Sequence, residues 1–185
     1  MRRLAFTELG MGLKAINRHA LGDERGSLTR LFCSTELAEI GWVKPIAQIN
    51  WVKNKFIGTV RGLHYQAAPC AEAKILLAIK GVVFDVLVDI RRGSPTFLQH
   101  VSVQLSAERG DGIYIPAGFA HGYQCLCDDV SLIYFHDTAH APTAERGLNI
   151  SDARLNIKWP LPLEHLSKRD MGHSLIDNKF EGELV

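Results

Sequence analysis

Long apolar runs, paired cysteines, a charge excess and internal repeats are all missing from this sequence, and each absence closes a class of function. No stretch approaches the roughly 20 apolar residues that cross a bilayer. The charged start Met1-Arg2-Arg3 is interrupted by Glu8 and Lys14 before any signal-like apolar segment forms. Lys and Arg total 21 against 20 Asp and Glu, a formal charge of +1, and such a balance gives no pull toward nucleic acid or an anionic membrane. An anionic ligand must then be held by a local pocket. The four cysteines, Cys33, Cys70, Cys125 and Cys127, include no Cys-x-x-Cys pair, and a chain of this length needs no covalent staples. They read as free, packed thiols, and the chain as a soluble cytoplasmic protein.

What is present is enough for one core. The 185 residues, 46% of them hydrophobic, fit a single domain over 1–185, with no linker or low-complexity run to divide it. Helical periodicity is scarce. Ser34 to Gly41 offers a hydroxyl N-cap, an early acid and a stopping glycine, which predicts a short connector helix capped by Ser34. The middle predicts closely spaced strands near residues 46–51, 58–65, 74–80, 81–90, 98–105, 112–115, 122–126 and 131–135. Many short strands in series mean a sandwich or barrel. In the fourth of these, Phe84, Val86, Val88 and Ile90 alternate with Asp85, Asp89 and Arg91, so one face is apolar and the other charged. Alternation alone favours solvent on the charged face over a polar lumen. The tail from Leu166 to Val185 has room for one short helix.

Gly110 to His121 has the G-x5-P-x-G-x-x-H spacing of the second cupin motif, in which Pro116 and Gly118 shape a bend that delivers His121 onto the next strand. The fold class expected is therefore mainly β, a single cupin-type jelly-roll barrel with a few short helices. Metal-binding cupins carry His-x-His in their first motif, but this chain reads His64-Tyr65-Gln66. Two histidines and a neutral amide make a poor divalent site, so no metal is expected. What remains is an ionisable set without an ion: Arg61, His64, Lys74 and His121, with Tyr134 and Asp152 further on. Any one of them alone would read as a hydrogen-bonded structural residue. Together they read as a site.

The string Arg61-Gly62-Leu63-His64-Tyr65-Gln66 followed by Glu72-Ala73-Lys74 resembles the dTDP-4-dehydrorhamnose 3,5-epimerase family. So do Asp23 to Gly26, Gln48-Ile49-Asn50, Phe84 to Arg91, Ile115 to Gly122, Tyr134, and Arg146-Gly147-Leu148 through Asp152 to Trp159-Pro160. The resemblance covers nearly the whole chain. It implies action on a nucleotide-linked 4-keto-6-deoxyhexose, whose ketone acidifies the neighbouring carbons, so no cofactor is expected. It also implies His64 as general base, Asp152 as the carboxylate that orients it, Lys74 as donor to the enolate oxygen and Tyr134 as the acid on the opposite face. Arg25 and Arg61 match diphosphate-binding positions. Gln48 and Asn50 match the nucleotide side, and His121 the sugar pocket. The family is usually dimeric, so a homodimer is implied.

The segment Thr138-Ala139-His140-Ala141-Pro142 lacks the aromatic residues common there in the family, and Trp51-Val52 follow Asn50 where His-Ser is frequent. The catalytic set is retained while the recognition edge differs. Inversion at C3, at C5 or at both, a ketoisomerase, and a nucleotide-sugar-binding barrel without catalysis all stay open at this point.

Overall fold

The computed structural model describes residues 2–185. Its elements run β1 (Leu4–Gly10), β2 (Leu13–Arg18), β3 (Leu21–Asp23), β4 (Gly26–Leu28), α1 (Ser34–Ala38), β5 (Gln48–Asn54), β6 (Val60–Gln66) and β7 (Lys74–Lys80). They continue through β8 (Val82–Asp89), β9 (His100–Ser106), β10 (Asp111–Ile115), β11 (Phe119–Cys125), β12 (Val130–His136), β13 (Glu145–Gly147) and α2 (Lys168–Met171). The eight strands expected from the sequence are all there, with ends shifted by a few residues. The N-terminal hairpin β1–β2, the small hairpin β3–β4 and β13 were not expected.

The strands form a six-stranded sheet in the order β1-β2-β10-β7-β12-β5 and a five-stranded sheet in the order β13-β6-β11-β8-β9, while β3 and β4 pair only with each other. All pairings within these sheets are antiparallel. The mainly-β jelly-roll class is as expected, built as two sheets with free edges rather than a closed barrel. Alternation sorts the side chains. Leu13, Leu76, Ala78, Leu87, Leu105, Ile113, Tyr123 and Leu132 fill the space between the sheets. The other face of the six-stranded sheet presents Leu4, Ile16, Ile75, Leu77 and Phe135 to Leu37, Ile40 and Trp42, which come from α1 and the turn after it. The other face of the five-stranded sheet is covered by Leu148, Ile150 and Leu155 against Val86, Val88 and Ile90.

That third layer corrects the reading of β8. Its apolar face meets the C-terminal segment, so the charged face is the inner one, and Asp85 and Asp89 are fully buried. Asp89 accepts from the backbone N–H and guanidinium of Arg91 and from the hydroxyls of Ser94 and Thr96. Burial pushes its pKa up, but these donors together hold it well below the ordinary carboxylate value. A second correction concerns α1: its N-cap is Cys33, which makes no side-chain cap bond, and Ser34 is already helical.

Removing the Asp89 carboxylate strands an arginine and two hydroxyls, so Asp89→Ala should cost about 3–5 kcal/mol of stability at neutral pH, read by urea unfolding. Because the folded-state pKa is depressed, this contribution is present above the unfolded value of about 3.9 and fades as the pH falls below it. The gap between wild type and variant should therefore narrow in acid.

Candidate active site

The inner faces change character along their length. At one end they are apolar; at the other the same alternation delivers Gln48 and Asn50 from β5, Lys74 from β7, and Tyr134 and His136 from β12. The facing sheet contributes Arg61, His64 and Gln66 from β6 and His121 from β11. These side chains line one open pocket of about 380 Å³, with Glu145 and Arg169 at its edge, a size ordinary for a ligand cleft. Glycines let the two histidine-bearing strands approach. A Cβ on Gly62 would sit 2.5 Å from the Gly122 Cα, and one on Gly122 would sit 2.7 Å from the Arg61 carbonyl oxygen. The register of β11 against β6 shifts between His121 and Tyr123, and His121 lies opposite His64.

His64 Nε2 lies 2.8 Å from Asp170 Oδ1. The carboxylate expected beside it, Asp152, is elsewhere: its Oδ1 accepts from the Arg154 N–H at 2.8 Å and its Oδ2 from the Ile176 N–H at 2.5 Å. Asp152 therefore holds the chain turn after β13, with both oxygens committed to backbone donors. Asp170 arrives through α2, where the Ser167 side chain caps the helix by accepting from the Asp170 N–H at 3.0 Å. Ser167-Lys168-Arg169-Asp170, a cap followed three residues later by an acid, signals the helix start but not its approach to His64. Burial pushes the Asp170 pKa up, but the His64 hydrogen bond and charge, the Ser167 hydroxyl and the Gly62 N–H bring it down to about 2. Asp170 is thus a fixed anion that holds the His64 ring in place.

His64, Asp170 and His173 bring three potential metal-ligand atoms within 4.8 Å of one another. A cation is already built into this corner, however: the Arg169 guanidinium approaches His64 Nε2 to 3.2 Å and is held by Glu145 Oε1 at 2.8 Å. Gln66, in the position of a second cupin histidine, donates to the Cys70 and Ala139 carbonyls at 3.1 and 3.3 Å and accepts from the Ala141 N–H at 2.6 Å. It fixes the turn that brings His140 to the pocket rim.

Across the pocket, Lys74 is buried, its ammonium 2.9 Å from Glu72 Oε1. Tyr134 lines the pocket, with its ring centroid 5.8 Å from that of His121 and 5.9 Å from that of His136. Burial first, then neighbouring Tyr123 and Asp85, push the Tyr134 pKa well above the ordinary phenol value despite the opposing Arg61 charge. The phenol therefore keeps its proton at neutral pH. His121 Nε2 lies 2.7 Å from Asp85 Oδ1, and Arg61 donates from Nε to Asn54 Oδ1 at 2.8 Å. Arg25 is not in the pocket: it lies exposed at the turn of the β3–β4 hairpin, paired with Asp23 at 2.6 Å. Of the residues expected at the site, His64, Lys74, Tyr134, Gln48, Asn50, Arg61 and His121 are brought together, and Arg25 and Asp152 are not. Sequence reasoning missed Asp170, Arg169 and Glu145.

A two-sheet β fold that opens its inner faces on one polar pocket is that of the cupin-type proteins. Within that class, residues 9–178 match the model of the dTDP-4-dehydrorhamnose 3,5-epimerase family. The dTDP-4-dehydrorhamnose 3,5-epimerase of Shigella flexneri is 40% identical over 161 residues, 86% of this chain and 88% of the relative. The crystal structure of dTDP-6-deoxy-D-glucose-3,5-epimerase from Legionella pneumophila, in complex with dTDP-4-keto-L-rhamnose, superposes with a TM-score of 0.90 at 34% identity and covers 98% of this chain and 99% of that one. A 3'-monoepimerase from Streptomyces bikiniensis, in complex with dTDP-quinovose, superposes with a TM-score of 0.81 at 31% identity over 95% of this chain and 87% of that one. The chain belongs to the dTDP-4-dehydrorhamnose 3,5-epimerase family. It is an isomerase, an epimerase of sugar nucleotides.

Proposed function

We propose that the chain, acting as one unit over 1–185, inverts C3 and C5 of dTDP-4-keto-6-deoxyglucose by two proton-transfer cycles. The observation that carries this reading is the opposition of the His64–Asp170 pair to Tyr134 and Lys74 across one pocket. The C4 ketone makes the adjacent C–H acidic. His64 takes that proton through the ring nitrogen not bonded to Asp170, and the electron pair moves onto the C4 oxygen. Lys74 donates an N–H to the resulting enolate, whose charge would otherwise be costly in a partly desolvated pocket. Tyr134 gives its phenolic proton to the opposite face of the carbon, which inverts it, and exchange with solvent resets both groups. Every step moves protons only, so no cofactor enters.

The remaining pocket residues fit the rest of the substrate. Arg61, oriented by Asn54, suits the diphosphate, and Arg169 at the pocket edge adds a second cation. Gln48 and Asn50 face the nucleotide and His121 the sugar. The comparison with the Streptomyces 3'-monoepimerase favours a second outcome from the same first step, inversion at C3 alone. NMR of the product decides between the two: the 3,5 reading predicts dTDP-4-keto-L-rhamnose, the 3-epimer alone supports the second reading, and unchanged substrate contradicts both.

The dyad assignment has its own test. Asp170→Asn should lower kcat by about 10–100-fold or more by removing the charge that supports the His64 cation, while Asp152→Asn should act on stability and leave kcat near wild type. Equal losses in the two variants would overturn it.

A homodimer completes the reading. β5 is a sheet edge that exposes Ile49 and Trp51, and the β3–β4 hairpin, unpaired with either sheet, exposes Leu21 and Leu28. Hairpin against edge between two copies would cover both and carry Arg25 toward the Gln48–Asn50 rim of the neighbouring pocket. Light scattering should read two chains per particle; one chain would contradict it. The chain has no helix long and apolar enough to cross a membrane among the described residues, and its four free cysteines suit the reducing cytoplasm we assign to it.

A further inference from the structure

The pocket wall holds a carboxylate and an imidazole that the mechanism above does not use. Glu72 lies just before β7, and each of its oxygens takes one partner: Oε1 lies 2.9 Å from Lys74 Nζ and Oε2 lies 2.8 Å from His136 Nδ1. His136 ends β12, in register with Lys74 on one side and Gln48 on the other. Its Nε2 lies 3.3 Å from Asn50 Nδ2, the Gln48 Nε2 donates to Asn50 Oδ1 at 3.1 Å, and Gln48 Oε1 accepts from the His140 N–H at 3.1 Å. A continuous polar chain thus runs from the ammonium of Lys74 to the backbone of the rim.

Its direction is fixed by its far end. The His140 amide can only donate, so Gln48 accepts there with its oxygen and donates with its nitrogen to Asn50. Asn50 then has its own N–H left for His136 Nε2, which must accept. The imidazole proton is therefore on Nδ1, donated to an ionised Glu72, and the Glu72 pKa is indeed held down by His136 and Lys74 against the upward push of burial. Five side chains are set in one orientation, and the cation at the end of the row faces the pocket.

We propose that Glu72 and His136 are positioning residues for the reaction: they fix the ammonium of Lys74 against the enolate oxygen and tie that setting to the Gln48–Asn50 rim where the nucleotide is placed. The inference rests on the epimerase reading. Its physical basis is that a buried ammonium needs a partner, and that a small displacement of a group that acts on the transition state costs far more in rate than in binding. Glu72 supplies the partner, and His136 keeps Glu72 from swinging.

The test uses the full-length protein, with exchange of substrate carbon-bound hydrogen for solvent deuterium as the rate and the Kd of dTDP as the binding readout. His136→Phe keeps the ring that stacks on Tyr134 but loses both nitrogens. It should slow exchange by about 10–100-fold, as expected when a reacting group loses its setting, with the Kd of dTDP nearly unchanged. His136→Asn keeps an N–H that can reach Glu72 and should recover most of the rate. Glu72→Gln, close to isosteric, should lose rate like His136→Phe with its melting transition retained, which separates positioning from misfolding. A loss confined to Kd, an equal loss in the Phe and Asn variants, or a wild-type rate in His136→Phe would each overturn the assignment while leaving the epimerase reading intact. Absence of exchange in the wild type would overturn the epimerase reading itself and this inference with it.

Discussion

Replacing His64 by Asn should lower kcat by about 10²–10⁴-fold, the range a positioned general base contributes, and leave the affinity for dTDP unchanged. The reasoning is geometric. His64 sits on β6 with Asp170 behind it at 2.8 Å, so the imidazole is held in one orientation by a carboxylate that stays ionised at any pH well above about 2. An asparagine amide keeps a polar group on β6, although it stops short of the position of Nε2, and it has no lone pair basic enough to take a carbon-bound proton. Of the groups proposed for the diphosphate and nucleotide, Arg61, Gln48 and Asn50 make no hydrogen bond to His64 among the described residues, and Arg169, which approaches His64 Nε2 at 3.2 Å, is held independently by Glu145 at 2.8 Å. Single-turnover kinetics with calorimetric binding of dTDP separates the two quantities, and a parallel loss of binding would show the residue to be structural.

Lys74→Met carries the second large effect, a fall in kcat of about 10²–10³-fold, the loss seen when one donor to a developing oxyanion is removed. Methionine fills similar volume but leaves Glu72 buried with His136 as its remaining partner, so the variant should also lose stability. The two effects come apart in the double variant Glu72→Gln/Lys74→Met, which removes the unpaired charge. Its melting temperature should rise relative to the single variant, while its kcat stays low. Recovery of kcat together with stability would mean that Lys74 serves the fold alone.

The strands around the pocket were legible from two signals, alternation in Val82 to Asp89 and an unbroken apolar run of strand length in Lys74 to Lys80. Which face is inner was not legible for β8. Both of its faces are covered, one by the opposing sheet and the other by Leu148, Ile150 and Leu155, and a pattern of period two cannot tell a polar lumen from solvent when the covering segment lies some 60 residues away in the chain. The N-terminal hairpin escaped notice because its strands mix polar and apolar residues and its turn depends on Gly10, Met11 and Gly12, all at positive φ. The site was readable where its residues lie on consecutive strands of the two sheets. Asp170 was not, since it reaches His64 from 106 positions away, on a four-residue helix in a tail with no periodicity. Asp152 occupied the place of the missing carboxylate only on resemblance, and its two backbone hydrogen bonds show what it does instead.

The roles proposed for His64, Lys74 and Tyr134 all pass through one event, the breaking of a carbon–hydrogen bond beside the C4 ketone. The most direct test is to incubate dTDP-4-keto-6-deoxyglucose with the protein in deuterium oxide and count deuterium on the recovered sugar by NMR. The account predicts incorporation at C3 and C5 with the wild type and none above background with His64→Asn. A wild type that leaves both carbons fully protonated, or a His64→Asn variant that exchanges them at the wild-type rate, would contradict it.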